Sequence, residues 1–253
     1  MANSSAFEDA VNVASKLSGI SVGCHVVLVD GSPVLPSEQV TSLVESKTHN
    51  FPNTLTRVVG RAFRGQLDTS EIEAEVAAQI RKLQDAGVAV SHVDTHKHTH
   101  LFPQILKPIL RAAKACGVKA IRNPFGRLSI RVAVGRPDLW KRYVQVSLLN
   151  RMAVSFRKAV AEAGMLTPDG SLGVVATGAL DDELFRSMIQ HLPEGTWEFV
   201  CHPGYNDAEL DTVRTRLRAS REKELAVLTS TSTRKLLENN GVELIPYGDF
   251  ARR

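Results

Sequence analysis

Residues 88–103, VAVSHVDTHKHTHLFP, predict a buried strand that runs directly into a helix. Valines at alternating positions are typical of a strand, and the closing proline is favoured at the first position of a helix. If the extended conformation continues through residue 98, the side chains of Asp94, His96 and His98 point to one side. Half of the chain's eight histidines lie in this segment. With one carboxylate they occupy every second position: His92, Asp94, His96, His98 and His100.

The alternating histidines indicate a divalent-metal or catalytic site rather than a packing role. Each buried imidazole needs a hydrogen-bond partner or costs free energy, so packing explains four of them poorly. In a barrel, the carboxyl ends of the strands carry the reactive groups. A helix would instead pair His96 with His100, four residues apart, as in the zinc-binding HExxH helix. The β-branched residues before the histidines favour the strand.

Apolar strand patterns alternate with helical patterns on both sides of this segment. The alternation predicts a parallel sheet covered by helices, either a barrel or a doubly wound sheet. No G-x-G-x-x-G follows a strand, so a dinucleotide-binding fold has no support. The length fits one domain over residues 1–253. The predicted strands are 20–29, 88–94, 118–124, 172–177, 197–203 and 242–247, and the predicted helices are 5–17, 70–87, 103–117, 137–165, 180–191, 211–228 and 231–239.

Local signals mark the ends of three of these helices. Ser5-x-x-Glu8 and Ser70-x-x-Glu73 have the spacing of a capping box, which predicts that helices begin there. Pro108, inside the pattern 103–117, is expected either to kink that helix or to mark its true start.

Composition and charge exclude several classes of protein. The formal charge is +4, and the charged residues are spread out except for a basic helical pattern over 214–223 that includes Arg214. Nucleic-acid binding would need a more concentrated patch with aromatic residues, so no nucleic-acid partner is expected. No apolar run reaches the length of a membrane span. Three cysteines without a CxxC pair fit a reducing compartment, and we expect a cytoplasmic protein.

Three residues outside the histidine segment lie within or at the ends of predicted strands. His25 lies in the apolar strand 20–29, where an unpaired imidazole would be costly, so beside the other histidines it is a candidate ligand. His202 follows the strand at 197–201 and precedes Pro-Gly, which is the placement of a reacting group. Arg122 ends the strand at 118–122, where it could contact substrate or form a structural ion pair.

Five segments, in order and spacing, carry a resemblance to a known family. They are VGCHVVLVDGSPVLP, HVDTHKHTHLFPQILKPILRAA, AIRNPF, EFVCHPGYND and SREKELAVLTS. Together they resemble the YdjC/ChbG-type carbohydrate deacetylases, which include the chitooligosaccharide deacetylase and a hopanoid-associated member. The resemblance covers nearly the whole chain.

The resemblance implies an α/β fold, a distorted and incomplete (β/α) TIM-like barrel of about 6–7 parallel strands. It also implies a homodimer, a divalent metal (Mg foremost, Zn as the alternative) and removal of N-acetyl groups from amino sugars. The family's two metal histidines correspond to His25 and His96. From the residues themselves, we expect His202 to be the general acid and Asp94 to orient an imidazole or a water. The expected contacts to substrate are Arg122, His98 and His100.

One family motif is absent from this sequence. The resemblance implies a third metal-side Asp in an A-D-D-F-G motif on a first strand, and the only Asp-Asp here is Asp181-Asp182 at a predicted helix start. The barrel is therefore expected to lack the family's first strand and helix, most simply through a misassigned start, and the chain is expected to be inactive. Strand 20–29 would then present an open edge, which predicts a covering dimer or poor solubility.

The missing acid leaves two other interpretations open. The first is a non-enzymatic member of the family that binds a metal through a vestigial site. The second is a different metal hydrolase of barrel fold, such as an amidohydrolase, which also uses H-x-H at a strand end. That class needs further His and Asp ligands on later strands, and the C-H-P-G-Y sequence at residues 201–205 favours the deacetylases.

Overall fold

A computed structural model describes residues 1–126, 130–211, 213 and 215–250 of the chain. The residues group into two compact units. The first consists of residues 1–122, 154–167 and the C-terminal residues from 245, and the second of residues 123–153 and 168–244. Arg214, within the basic pattern, lies outside the described residues. That residues 1–253 form one domain stays a prediction.

A three-stranded parallel sheet lies in the first unit. Its strands are β1 (Val22–Val26), β2 (Val90–Thr95) and β3 (Ala120–Ile121), in the order β1-β2-β3. His25 on β1 is level with Asp94 on β2. Because the strands are parallel, their carboxyl ends meet at one edge of the sheet, which is where the sequence places its polar side chains.

Helices make up most of the regular structure in the described residues, as the sequence patterns predict. In the first unit α3 packs against α4 through a face rich in Ile, Leu, Val and Ala. The helices, in chain order, are α1 (Phe7–Ser15), α2 (Leu55–Phe63), α3 (Thr69–Asp85), α4 (Pro103–Ala115), α5 (Ile130–Val134), α6 (Trp140–Leu149), α7 (Ala153–Glu162), α8 (Asp182–Gln190), α9 (Ala208–Asp211), α10 (Ala219–Thr229), α11 (Thr231–Asn239) and α12 (Tyr247–Phe250). None of these described helices is long and apolar enough to cross a membrane.

Two buried polar side chains of α3 hold the chain segment that follows β1. The amide of Gln79 pairs with both the backbone N–H and the carbonyl of Val27, at 2.9 and 2.8 Å. The carboxylate of Glu75 accepts the backbone N–H groups of Val34 and Leu35 at 2.8 and 3.0 Å. Buried polar groups are retained when they are hydrogen-bonded in this way. The segment after β1 is thus fixed in place without secondary structure of its own.

The second unit contains a two-stranded parallel sheet and its own core. Strand β4 (Gly170–Leu172) pairs with β5 (Trp197–Phe199). The core joins residues from β4, α8, α10 and α11, and its fully buried members include Leu172, Leu184, Phe185, Met188 and Val227. The α/β class and the parallel strands of the prediction are therefore correct, and closure of the strands into a barrel stays a prediction.

Two predicted strands differ from the structure. Only Leu172 of the predicted strand 172–177 is extended, because Gly173 takes the left-handed φ of 85° and begins a turn. Residues 242–247 form no strand. Val242 instead donates its backbone N–H to the Leu237 carbonyl at the end of α11, and α12 begins at Tyr247.

The helix starts also differ in detail. The Ser5-Glu8 capping box does not form, since α1 begins at Phe7 and its N-cap, Ala6, has no side-chain cap. The N-cap of α3 is Asp68, whose side chain accepts the Ser70 backbone N–H. The predicted N-cap, Ser70, is therefore wrong by two residues. Helix α4 begins at Pro103.

Candidate functional site

His25 and Asp94 form the centre of the site at the carboxyl edge of the three-stranded sheet. Register places them side by side on β1 and β2, and His25 Nδ1 lies 2.7 Å from Asp94 Oδ2. An ionised carboxylate only accepts hydrogen bonds, so Nδ1 carries the proton that it donates to Asp94. In the neutral imidazole this leaves a lone pair on His25 Nε2, where it can bind a metal or accept a proton.

His96 faces that nitrogen. Its Nδ1 lies 3.5 Å from His25 Nε2, and the two rings meet edge to face. Burial, followed by the positive charges of His25 and Lys97, lowers the pKa of His96 to about 4. The ring is therefore neutral at pH 7, which is the state that a metal ligand requires.

The chain turns sharply immediately after His96. Strand β2 ends at Thr95, and residues His96–Leu101 form a 3-10 turn in which Lys97 and His98 have φ values of 54° and 52°. The expectation that Asp94, His96 and His98 share one extended face is therefore wrong beyond Thr95. Left-handed backbone is costly for residues other than glycine, and such conformations cluster at functional sites.

A salt bridge joins this turn to the segment after β1. Lys97 Nζ lies 2.8 Å from the carboxylate of Asp30, which also has a left-handed φ, of 61°. Asp30 is close enough to His96 to raise that ring's pKa, against the larger effects of burial. The sequence reasoning missed Asp30, although an acidic residue directly after an apolar strand was a signal for it.

Asp94 also pairs with Arg122, the residue that follows β3. The carboxyl is nearly fully buried. Burial opposes its ionisation, but the hydrogen bond from His25 and the charges of His25 and Arg122 hold its pKa well below the usual range. Of the two roles left open for Arg122, the structure displays the ion pair; a contact with substrate stays a prediction.

Two further histidines of the segment, His98 and His100, lie in the turn that follows β2. His100 is fully buried, its Nδ1 lies 2.5 Å from the Thr95 hydroxyl, and that hydroxyl also accepts the His100 backbone N–H. The half-buried His98 lies edge to face with His100 at 6.0 Å. Burial, then the charge of His98, lowers the pKa of His100 to about 3. The contacts of His100 with Thr95 stabilise the turn. Contact of His98 and His100 with substrate stays a prediction.

His202 lies in the second unit, three residues beyond the end of β5. Its backbone N–H donates to the carboxylate of Glu224 on α10. Glu224 is 1% exposed, and its other oxygen, Oε1, has no hydrogen-bond partner among the residues that the structure describes. The sequence reasoning missed Glu224, because an acidic residue in a helix is ordinarily solvent-exposed. A buried carboxylate here fixes the backbone of the residue predicted to be the general acid.

The donor set of the first unit fits two of the ligands of a divalent metal. Two imidazole nitrogens about 2.0–2.1 Å from a tetrahedral ion lie roughly 3.4 Å apart, close to the 3.5 Å between His25 Nε2 and His96 Nδ1. A carboxylate behind a ligating histidine, as Asp94 is behind His25, is the usual support for such a ligand. Within the described part of the chain, no group of three or more His, Cys, Asp or Glu side chains could hold a metal.

Comparison with known proteins places the chain in a family. A model of the YdjC-like protein family matches residues 1–239. The chain belongs to the YdjC-like family. This confirms the resemblance drawn from the sequence segments, including those that contain His25, Asp94 and His96.

YdjC-like relatives match along almost the full length of this chain. A carbohydrate deacetylase of Listeria monocytogenes serotype 4a is 28% identical over 99% of this chain and 86% of its own length. A carbohydrate deacetylase of Geobacillus stearothermophilus is 29% identical over 99% of this chain and 84% of its own length. The crystal structure of a putative cellobiose-phosphate cleavage protein from Enterococcus faecalis V583 aligns with a TM-score of 0.76 at 21% identity, over 99% of this chain and 85% of that one. This last likeness shows a shared fold.

Proposed function

We propose that this protein is a metal-dependent hydrolase that removes N-acetyl groups from amino sugars or their oligosaccharides. The observation that carries the proposal is the pair of facing nitrogens, His25 Nε2 and His96 Nδ1, with Asp94 hydrogen-bonded behind His25. Membership of the YdjC-like family and the naming of its relatives as carbohydrate deacetylases support the same activity.

His25 and His96 would hold the ion. A bound divalent cation supplies a water of lowered pKa and stabilises negative charge on the acetyl oxygen. Magnesium and zinc are both candidates, and imidazole ligands suit zinc better than magnesium. Asp94 keeps the proton on His25 Nδ1, so that Nε2 presents its lone pair. The buried ion pair with Arg122 holds that carboxylate ionised and in position.

Release of the amine requires a proton donor. We assign this role to His202, which lies three residues beyond the end of β5. Its backbone N–H donates to the carboxylate of Glu224 on α10. A histidine can protonate the leaving nitrogen near neutral pH because its ordinary pKa lies close to that range.

We propose that the strands of this fold belong to a TIM-like barrel, since the reactive groups of such folds lie at the carboxyl ends of the strands.

The test is acetate release from N-acetylglucosamine oligomers after chelation and after return of magnesium or zinc. It is run on the 253-residue chain. We expect release that chelation stops and that magnesium or zinc restores; the inactivity expected from the absent A-D-D-F-G motif is the opposite outcome. In the metal-loaded chain, His25→Ala, His96→Ala and His202→Ala are each expected to abolish release. Acetate release that survives chelation, or His25→Ala, would contradict the proposal.

A second candidate is a family member that binds a metal without catalysis. It is favoured by the absence of the A-D-D-F-G acid from this sequence. The same assay separates the two functions, because zinc binding without acetate release would favour this candidate. Acetate release by the metal-loaded chain would exclude it.

A further inference from the structure

Helix α6 carries an exposed apolar stripe. Trp140, Val144 and Leu148 follow one another at intervals of four residues, which places them along one side of the helix. Their side chains are 41%, 58% and 60% exposed. Tyr143 and Val146, on the opposite side, pack against the core of the second unit. Tyr143 and Val146 thus form the core-facing side of α6, and the stripe lies outside it.

The charged side chains of α6 and of the segment that follows it are all basic, and exposed Asp138, paired with Arg136, lies just before the helix. Residues 139–161 contain five lysines and arginines and no aspartate or glutamate. Lys141 and Arg151 are exposed, whereas Arg142 is directed into the unit, where it donates to the carbonyls of Val175 and Thr177. An exposed apolar stripe with a tryptophan and neighbouring cations is the composition of helices that lie in a lipid interface.

The charge also decides between occupants. In a symmetric dimer two copies of this patch meet, and residues 139–161 of the second copy would offer Lys141 and Arg151 no acidic partner. An anionic lipid surface complements them and accepts the apolar side chains among its acyl chains. We propose that α6 docks the protein onto anionic membrane surfaces, reversibly, through Trp140, Val144 and Leu148 with Lys141 and Arg151 on phosphate groups.

The expected affinity is modest. One short apolar stripe gives weak binding, and each cation near an anionic leaflet adds a contribution that salt reduces. Binding to vesicles containing phosphatidylglycerol should therefore weaken steeply as salt is raised, and vesicles of phosphatidylcholine alone should bind little. Trp140 is one of two tryptophans in the chain and reports directly on the site.

The experiment measures co-sedimentation of the full chain with vesicles of phosphatidylcholine and phosphatidylglycerol, and the blue shift of tryptophan emission. Val144→Gln with Leu148→Gln should abolish the binding. Lys141→Glu with Arg151→Glu should weaken it about 30-fold or more. The matched control, Val213→Gln with Leu244→Gln, also removes two exposed apolar side chains and should bind as the unaltered chain does. Circular dichroism verifies that all variants are folded.

Three outcomes overturn the proposal. One is absence of binding to the anionic vesicles at low salt. Another is equal loss of binding in the stripe variant and the control variant. The third is an oligomer in sedimentation velocity that Val144→Gln with Leu148→Gln dissociates, which would assign the stripe to a second copy of the chain. None of these measurements depends on deacetylase activity.

Discussion

At the scale of single residues, Asp94 determines what the histidine pair can do. It accepts from His25 and pairs with Arg122 while nearly fully buried. Its ionisation in that environment results from these two partners, which outweigh the cost of burial. The carboxylate therefore fixes the imidazole that faces His96.

Asp94→Asn is expected to weaken zinc binding about 10–100-fold, because the amide no longer holds the proton on His25 Nδ1. Isothermal titration calorimetry measures the affinity directly. Asp207→Asn is the matched control, since Asp207 is an exposed helix cap on α9 and should leave zinc affinity unchanged. Equal affinity in Asp94→Asn and the unaltered chain would show that Asp94 orients no ligand.

His100 predicts a pH dependence of stability. Its pKa is about 3 in the folded chain and near 6.5 when unfolded. The unfolded state therefore binds more protons between these values, and the free energy of unfolding should fall as the pH is lowered through this window. One such group changes stability by up to about 1.4 kcal/mol per pH unit. Urea denaturation from pH 7 to pH 4 measures the slope.

His100→Gln should flatten that slope, since it removes the titrating ring. His191→Gln, at an exposed position on the end of α8, is the control and should leave the slope as it was. If His100→Gln and the unaltered chain lose stability in parallel on acidification, burial of His100 is not the cause.

The sequence predicted the members of the site better than their arrangement. The alternating His and Asp residues and His25 within the predicted strand 20–29 were recognised as candidate site residues, and the family resemblance paired His25 with His96. The left-handed turn at Lys97 and His98 was not predictable, because positive φ is uncommon for any residue other than glycine, even though histidine is enriched there. Glu224 was missed because its burial depends on tertiary packing, which local sequence does not encode.

At the scale of elements, the turn after β2 depends on two residues in left-handed conformation and on one ion pair. The Lys97–Asp30 pair is partly exposed, with about a third of each side chain accessible. Such pairs contribute roughly 0–1 kcal/mol to stability. Its larger effect is geometric, since it connects the ends of the two strands that carry His25 and His96.

Two substitutions of Lys97 separate backbone strain from the ion pair. Both Lys97→Met and Lys97→Gly remove the pair, but only glycine relieves the positive φ of 54°. We expect Lys97→Gly to be more stable than Lys97→Met by about 0.5–1 kcal/mol, after allowing for the added freedom of the unfolded chain. Urea denaturation measures the difference. A less stable Lys97→Gly would contradict a left-handed turn at this position.

Gly173 explains why the predicted strand 172–177 stops at its first residue. It has a φ of 85°, and a Cβ there would lie 2.1 Å from the carbonyl oxygen of Val200, which is backbone and cannot move aside. Gly173→Ala is expected to cost about 3 kcal/mol or more in the free energy of unfolding. Gly241→Ala, at φ 65° with open space around it, should cost about 1 kcal/mol. Equal costs would exclude the close approach.

The strand patterns were most reliable in runs rich in β-branched apolar residues. β1, β2 and β3 were predicted from such runs. The pattern at 242–247 misled because Val, Leu and Ile also occur in an irregular segment that ends at Pro246. In that segment the hydrogen bond from Val242 closes the C-terminal end of α11 and joins no sheet.

At the scale of the whole molecule, family membership and shared fold follow from matches over nearly the full chain. A homodimer stays a prediction. Strand β1 is at an edge of the described sheet, and uncovered edges favour association. Sedimentation velocity should show a dimer at micromolar concentration. A soluble monomer that remains monodisperse on concentration would contradict it.

Metal binding by His25 and His96 is the basis of the proposed function. It is tested by anomalous diffraction at the zinc edge from crystals of the chain grown with zinc. We expect a peak about 2.0–2.1 Å from both His25 Nε2 and His96 Nδ1, and its loss in His25→Ala. Zinc bound elsewhere, with no peak between these two nitrogens, would contradict it.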